Sequence, residues 1–211
     1  YRACPIARGV QFVSIDHPSK QCGEFLEWAF KKLADMPQGA PIIIVNRTAV
    51  YAYGDDDGRV ESNVPFIHFG QPHANASPTF LKEFGQHLTD TACQLATDHP
   101  VYMVRPIPEM PVDVPKTVAS AALFGRQRDV TISLDSYYKR HKFAWAAQDA
   151  AHERCGVKIL DPLPYLCWDG LCHGLKDGRP LYHDDDHLSE YGNRLLVPMF
   201  AEIFAKGSVT Q

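Results

Sequence analysis

Three short apolar runs set the strongest limit on how this chain can fold. Ile42-Ile43-Ile44-Val45 is entered from a Gly/Pro turn, Val101-Tyr102-Met103-Val104 follows Asp98-His99-Pro100, and Val157-Lys158-Ile159-Leu160 follows Gly156. Runs of this kind read as buried parallel strands with both sheet faces covered. Helical patterns lie between them. From about residue 23 to 33, Phe25, Leu26, Trp28, Ala29, Phe30 and Leu33 fall at helical spacing. From about 79 to 97 the same is true of Phe80, Leu81, Phe84, Leu88, Ala92 and Leu95, with Pro78 suited to a helix start. A third helix is expected from about 136 to 155, closed by Gly156. Ser189 reads as the N-cap of a last helix, with Leu195, Leu196, Met199, Phe200, Ile203 and Phe204 on one apolar face. Such alternation of strands and helices predicts an open α/β sheet.

Composition narrows the class further. The 211 residues suit a single domain over residues 1–211, and 45% hydrophobic with 22% charged residues is ordinary for a soluble globular fold. A net charge of −4 gives no electrostatic case for a nucleic-acid partner. No apolar run approaches the ~20 residues of a membrane span. The start at Tyr1 lacks both a signal-peptide pattern and an initiating Met, so the chain is expected to be a processed or excised piece of something longer. Asp55-Asp56-Asp57-Gly58 reads as a solvated turn within a long irregular stretch, about 54–77, of the kind that forms a surface or functional loop.

The six cysteines bear on the compartment. Cys167 and Cys172 flank Asp169-Gly170 in LCWDGLC, a hairpin-type turn that brings two thiols close, so a disulfide is expected there. Cys4 and Cys22 bracket a loop with Pro, Gly and Ser that a second bridge would tie down. Reduced cysteines or a zinc site are the alternatives, and Cys-x4-Cys without a second matching pair is a poor zinc signature. This usage favours an oxidising compartment. Cys93 and Cys155 carry no pairing signal.

The chemistry concentrates in YHDDDHLSEYGN, residues 182–193. His183 and His187 could share a metal with the aspartates between them if the stretch were helical, but it reads as loop ahead of Ser189. Asp184-x-x-His187 needs fewer residues. A carboxylate one turn away can accept from the imidazole Nδ1–H and leave Nε2 to take a proton from a nucleophilic hydroxyl. In an open α/β sheet this position lies at the strand ends where ligands bind. His183, Asp185 and Asp186 read as solvated neighbours.

PLYHDDDHLSEYGNRLL, preceded by DPLPYLCWDGLCHGLKDGRP, resembles the end of the SGNH-type domain of membrane acyltransferase-3 proteins. In that family a cysteine hairpin, a plY-x-D-x-x-HLS-x-x-G run and a closing helix come in this order. The loop VRPIPEMP after a strand and the opening CPI with a second Cys at 22 fit the same pattern. The resemblance covers nearly the whole chain and is most specific in its C-terminal quarter.

It implies an SGNH-hydrolase-like, flavodoxin-like α/β fold: a three-layer parallel sheet with helices on both faces. Asp184 and His187 would be the Asp and His of a Ser-His-Asp triad that needs neither metal nor cofactor. The implied activity is O-acyl, most often O-acetyl, transfer to a cell-surface glycan in the periplasm. The acyl donor would act through a membrane acyltransferase domain in the same polypeptide, which would tether this domain to the inner membrane through an upstream segment.

The family takes its nucleophile from a Gly-Asp-Ser block on the first strand, and no GDS occurs in this sequence. Tyr1-Arg2-Ala3-Cys4-Pro5 resembles the segment C-terminal to that block, so the serine and the first strand are expected upstream of the chain. Ser14 faintly echoes a strand-to-nucleophile turn and reads as a loop serine. Asn46, directly after the IIIV run, is the candidate oxyanion donor. His68, His73, His141 and His173 show no partners and read as surface or structural residues. The alternative function is a catalytically silent glycan-binding or docking module of a membrane acyltransferase.

Overall fold

The computed structural model describes residues 4–13, 21–54 and 65–205; Ser14 and the acidic run Asp55-Asp56-Asp57-Gly58 lie outside them. In chain order the elements begin with β1 (Gln11–Phe12), α1 (Cys22–Leu33), β2 (Ile42–Ile44), α2 (Ala49–Tyr53), β3 (Ile67–His68), α3 (Pro78–Leu95) and β4 (Val101–Val104). Next come α4 (Val114–Leu123), β5 (Thr131–Ser133), α5 (Leu134–Cys155) and β6 (Lys158–Leu160). The C-terminal part holds α6 (Leu163–Leu166), β7 (Cys167–Trp168), β8 (Leu171–His173), β9 (Leu175–Lys176), β10 (Arg179–Pro180), α7 (Glu190–Leu195) and α8 (Val197–Ala205). The fold is mixed α/β, and it packs as two compact units.

The first unit takes its described residues from Tyr1–Asp55, Glu61–Pro106 and His141–Ile159. Its sheet has the order β2-β4-β6, with β2 and β4 parallel and Ile42, Ile43 and Ile44 opposite Val101, Tyr102 and Met103. Side chains alternate along a strand, so Val101 and Met103 share a face. They pack there with Ile44, Val157, Ala92 and Leu95 of α3, and Ala151 of α5. A second cluster joins Leu26 of α1, Tyr51 and Ala52 of α2, and Phe80, Phe84 and Leu88 of α3. The start of α3 is set by Ser77, whose Oγ accepts the Phe80 N–H at 3.2 Å ahead of Pro78. Disulfides join Cys4 to Cys22 and Cys93 to Cys155, the latter tying α3 to the end of α5.

Coverage of the sheet is uneven. All of β4 is buried, as its apolar run predicts. In β2 the expectation of two covered faces is corrected: Ile43 is 37% exposed and Val45, just past the strand, 69%. The physical reason is position, because β2 pairs only with β4 among the described residues and forms the edge of the sheet.

The second unit holds Ile107–Arg140 and the described residues from Leu160 onward. Its antiparallel sheet has the order β5-β8-β7. Asp169 (φ 51°) and Gly170 (φ 78°) form the left-handed two-residue turn between β7 and β8, and a disulfide joins the directly opposed Cys167 and Cys172. The hairpin of β9 and β10 turns the same way at Asp177 (φ 52°) and Gly178 (φ 73°). The single last helix expected from the sequence is two helices, broken at Leu196. Pro198 is the cause, since it has no N–H and its ring opposes the carbonyl four residues earlier. Leu196, Met199 and Ile203 are buried, whereas Phe204 is 66% exposed. No helix among the described residues is long and apolar enough to cross a membrane.

Candidate active site

Residues 182–189 form a closed loop in the second unit. Tyr182 and Leu188 make an isolated antiparallel bridge, and the His183 N–H donates to the His187 carbonyl at 2.7 Å. Tyr182 is fully buried, and its hydroxyl donates to the Pro108 carbonyl at 2.8 Å. Burial, with Glu109 and Tyr137 nearby, drives its pKa far above the usual phenol range. The outer wall of the loop is held by two backbone donors: Met110 N–H meets the Asp185 carbonyl at 2.7 Å and Val114 N–H the Asp184 carbonyl at 3.0 Å. Met110 itself is steadied by the buried Arg140–Glu109 ion pair at 2.8 Å, one residue before it. The irregular PIPEMP stretch therefore braces the acidic loop.

Inside that loop the carboxylate of Asp184 organises the turn. Its Oδ1 accepts the N–H groups of Asp186 at 2.9 Å and His187 at 2.7 Å, the side-chain-to-backbone pattern by which aspartate makes a turn. Its Oδ2 lies 2.9 Å from His187 Nδ1. Partial burial pushes the Asp184 pKa up, but the backbone bonds from His187 and Asp186, then the bond and charge of the His187 ring, outweigh it. The carboxyl ends at about 2. The sequence spacing thus becomes a real Asp184–His187 contact.

Asp186 corrects the sequence reading of it as a solvated neighbour. Its side chain is only 7% exposed, and its Oδ1 lies 2.6 Å from His187 Nδ1. Both carboxylates at that nitrogen are acceptors, so Nδ1 carries a hydrogen and Nε2 is the ring nitrogen they leave uncontacted. The His187 side chain is 74% exposed. Nothing in the sequence distinguishes Asp186 from Asp185, because the difference arises only once the loop turns at Asp184.

Asp184, Asp186 and His187 also each offer a ligand atom, all within 4.8 Å of one another. A tetrahedral zinc with bonds of ~2.0–2.2 Å would hold its ligand atoms about 3.3 Å apart. In this structure the nitrogen-to-oxygen distances of 2.6 and 2.9 Å are hydrogen-bond lengths.

Two further residues fix the dyad's frame. Ser189 is the N-cap of α7: its Oγ accepts the Gly192 N–H at 3.1 Å and donates to the Pro180 carbonyl at 3.0 Å. Gly192 lets the Leu181 carbonyl approach the helix. A Cβ built at this position would lie 2.1 Å from that oxygen, so only glycine fits without moving backbone.

A model of the SGNH domain fused to AT3 domains matches residues 1–202 of this sequence. The chain belongs to that family. A similar fold occurs in the periplasmic domain of a lipopolysaccharide acetyltransferase from Salmonella ser. Paratyphi A, with a TM-score of 0.57 and 12% identity over 94% of this chain and 69% of that one. At that identity the likeness is one of fold. No curated protein matches the sequence. The three disulfides of this SGNH domain fit an oxidising compartment such as the periplasm.

The other candidates fall outside the dyad loop. Asn46 belongs to the first unit, where its Nδ2 donates to the Cys4 carbonyl at 3.1 Å and its Oδ1 accepts from Thr48 at 3.3 Å. Of the remaining histidines, His73 has a partner the sequence does not reveal, Glu83 at 2.9 Å. His68 Nδ1 lies 3.0 Å from the Gly70 carbonyl, His173 stacks on Trp168, and His141 is buried.

Proposed function

We propose that this SGNH domain transfers an acyl group, acetyl by preference, to a hydroxyl of a cell-surface glycan in the periplasm. In this reading the nucleophile is a serine on a strand upstream of Tyr1, and the acyl group arrives through the AT3 domain of the same polypeptide. The observation that carries the proposal is the Asp184–His187 contact at 2.9 Å, and in this reading Nε2 is the basic nitrogen. Among the described residues β2 pairs with β4 alone, an edge position compatible with a further strand beside it.

The chemistry follows from that nitrogen. His187 Nε2 takes the serine hydroxyl proton as Oγ attacks the acyl carbonyl, and Asp184 and Asp186 offset the charge of the imidazolium. The proton then passes to the leaving group, and an acyl-serine remains. A sugar hydroxyl attacks it while His187 Nε2 accepts the hydroxyl proton, and that proton returns to the serine oxygen as it departs.

The test is hydrolysis of p-nitrophenyl acetate by the polypeptide that includes the segment upstream of Tyr1. His187→Ala should lower the rate on the order of a thousandfold or more, and Asp184→Asn should come close to it, because the amide disturbs the tautomer. Equal inertness of the wild type and His187→Ala would replace this reading with the docking module.

A further inference from the structure

The free end of α4 takes no part in the dyad. We propose that it docks the domain on an anionic phospholipid surface, with Leu123 and Phe124 entering the headgroup layer and Lys116, Arg126 and Arg128 facing the lipid phosphates. Leu123 is 84% exposed and Phe124 78%, more than any other large apolar side chain among the described residues. The whole helix, VPKTVASAAL, is mostly apolar, yet Val114 is its one buried residue. An apolar helix left in water lacks the surface that would cover it.

The tip is held in place rather than loosely strung. Gly125 has φ +65°, its N–H donates to the Ala122 carbonyl at 2.9 Å, and the Arg126 N–H donates to the Ala121 carbonyl at 3.0 Å. These paired bonds are a glycine helix stop, which ends α4 sharply and turns the chain back. Leu123 and Phe124 therefore stand at a fixed apex, so seating them on a surface orders little additional chain.

Charge selects the occupant. Lys116, Arg126 and Arg128 line one open cavity of about 480 Å³ together with Thr117 and Ser120, and no carboxylate lines it. The adjacent acidic residue in sequence, Asp129, leaves a local cationic excess on a chain whose net charge is −4. An apolar apex with a cationic rim is the chemistry of interfacial anchoring to anionic lipid. A second copy would bring a like-charged rim against the first. The other end of the helix is rooted where the Val114 N–H binds the Asp184 carbonyl, so docking would also orient the dyad loop relative to the bilayer.

The test is flotation of the 211-residue chain, disulfides intact, with vesicles of phosphatidylcholine alone or mixed with phosphatidylglycerol. Binding should be at least about tenfold tighter to the mixed vesicles and should weaken as salt rises. The double variant Leu123→Ser with Phe124→Ser should lose affinity for them on the order of a hundredfold. Lys116→Gln with Arg126→Gln and Arg128→Gln should lose a similar amount, at about fivefold per cation removed. All five positions are exposed or partly so, and an unchanged near-ultraviolet circular dichroism spectrum verifies the fold of each variant. The proposal is overturned by equal binding to both vesicle types, or by undiminished binding of the Leu123/Phe124 variant. Sedimentation showing an apex-dependent dimer in place of vesicle binding overturns it in favour of a second copy. No step of this test needs catalysis, so its outcome stands apart from the acyl-transfer reading.

Discussion

Two helices of the second unit invert the usual relation between apolarity and burial. α7 reads EYGNRL, a polar sequence, yet it sits so close to Leu181 that its Gly192 has no room for a Cβ. α4 reads VPKTVASAAL, mostly apolar, yet buries only Val114. Both have capped starts, with Ser189 accepting from Gly192 and Asp113 from Lys116. Capping therefore decides where each helix begins and not whether it is packed. Backbone proximity anchors α7, and that short helix is what holds the loop of Asp184 and His187. The apolar face of α4 remains available for something outside the unit.

Substitution of Gly192 should break this contrast most severely. In Gly192→Ala the new methyl meets the Leu181 carbonyl oxygen, and backbone cannot yield as a flexible side chain can. Leu181 also accepts the Ser189 N–H at 2.9 Å, so displacing it loosens the α7 cap as well. A loss of roughly 3 kcal/mol is expected in urea denaturation, at the upper end of overpacking costs. A near-neutral result would mean that α7 is not anchored through this contact.

A smaller effect should separate the two helices directly. Ser189→Ala removes both the N-cap acceptor and the donor to Pro180, and should cost about 1–2 kcal/mol. The exposed apolar pair at the other helix should behave oppositely despite its size: Leu123→Ser with Phe124→Ser should stay within about 0.5 kcal/mol of the wild type. If the double serine variant proved the more costly, α4 would be a packed element after all.

The legible parts of this molecule are those in which spacing alone dictates contact. The apolar runs at 42–45, 101–104 and 157–160 mark the three strands of the first unit's sheet, although only the central run is buried throughout. Asp169-Gly170 marks its hairpin through the left-handed φ values such a turn requires. The same dipeptide at Asp177-Gly178 gives no such signal, since Leu175-Lys176 and Arg179-Pro180 carry no strand pattern beside it. Asp184 and His187 are readable because three residues make one turn. Asp186 and the backbone bonds from Met110 and Val114 are not, because they depend on a loop about seventy residues away in sequence. Pro198 is visible as a helix breaker, and the apolar pattern running through it conceals the break at Leu196.

The last expected effect concerns acid, and it tests whether the α7-held loop behaves as one charged unit. The Asp184 carboxyl lies at about 2 in the folded chain, below the ~3.9 of an unperturbed aspartate. A group depressed by folding stabilises the native state only while it is ionised, so its contribution is complete above about pH 4. That contribution is lost as pH falls from about 4 to about 2, where the folded carboxylate finally takes its proton. Denaturation of the wild type should therefore become easier across that window by more than that of Asp184→Asn, which has no proton to gain there. Above it the two curves should run parallel, and any pH dependence of activity near neutrality arises from groups other than this carboxylate. Identical slopes between about pH 4 and 2 would show that the backbone bonds from Asp186 and His187 do not favour the ionised form. The turn would then be held by Met110, Val114 and α7 alone.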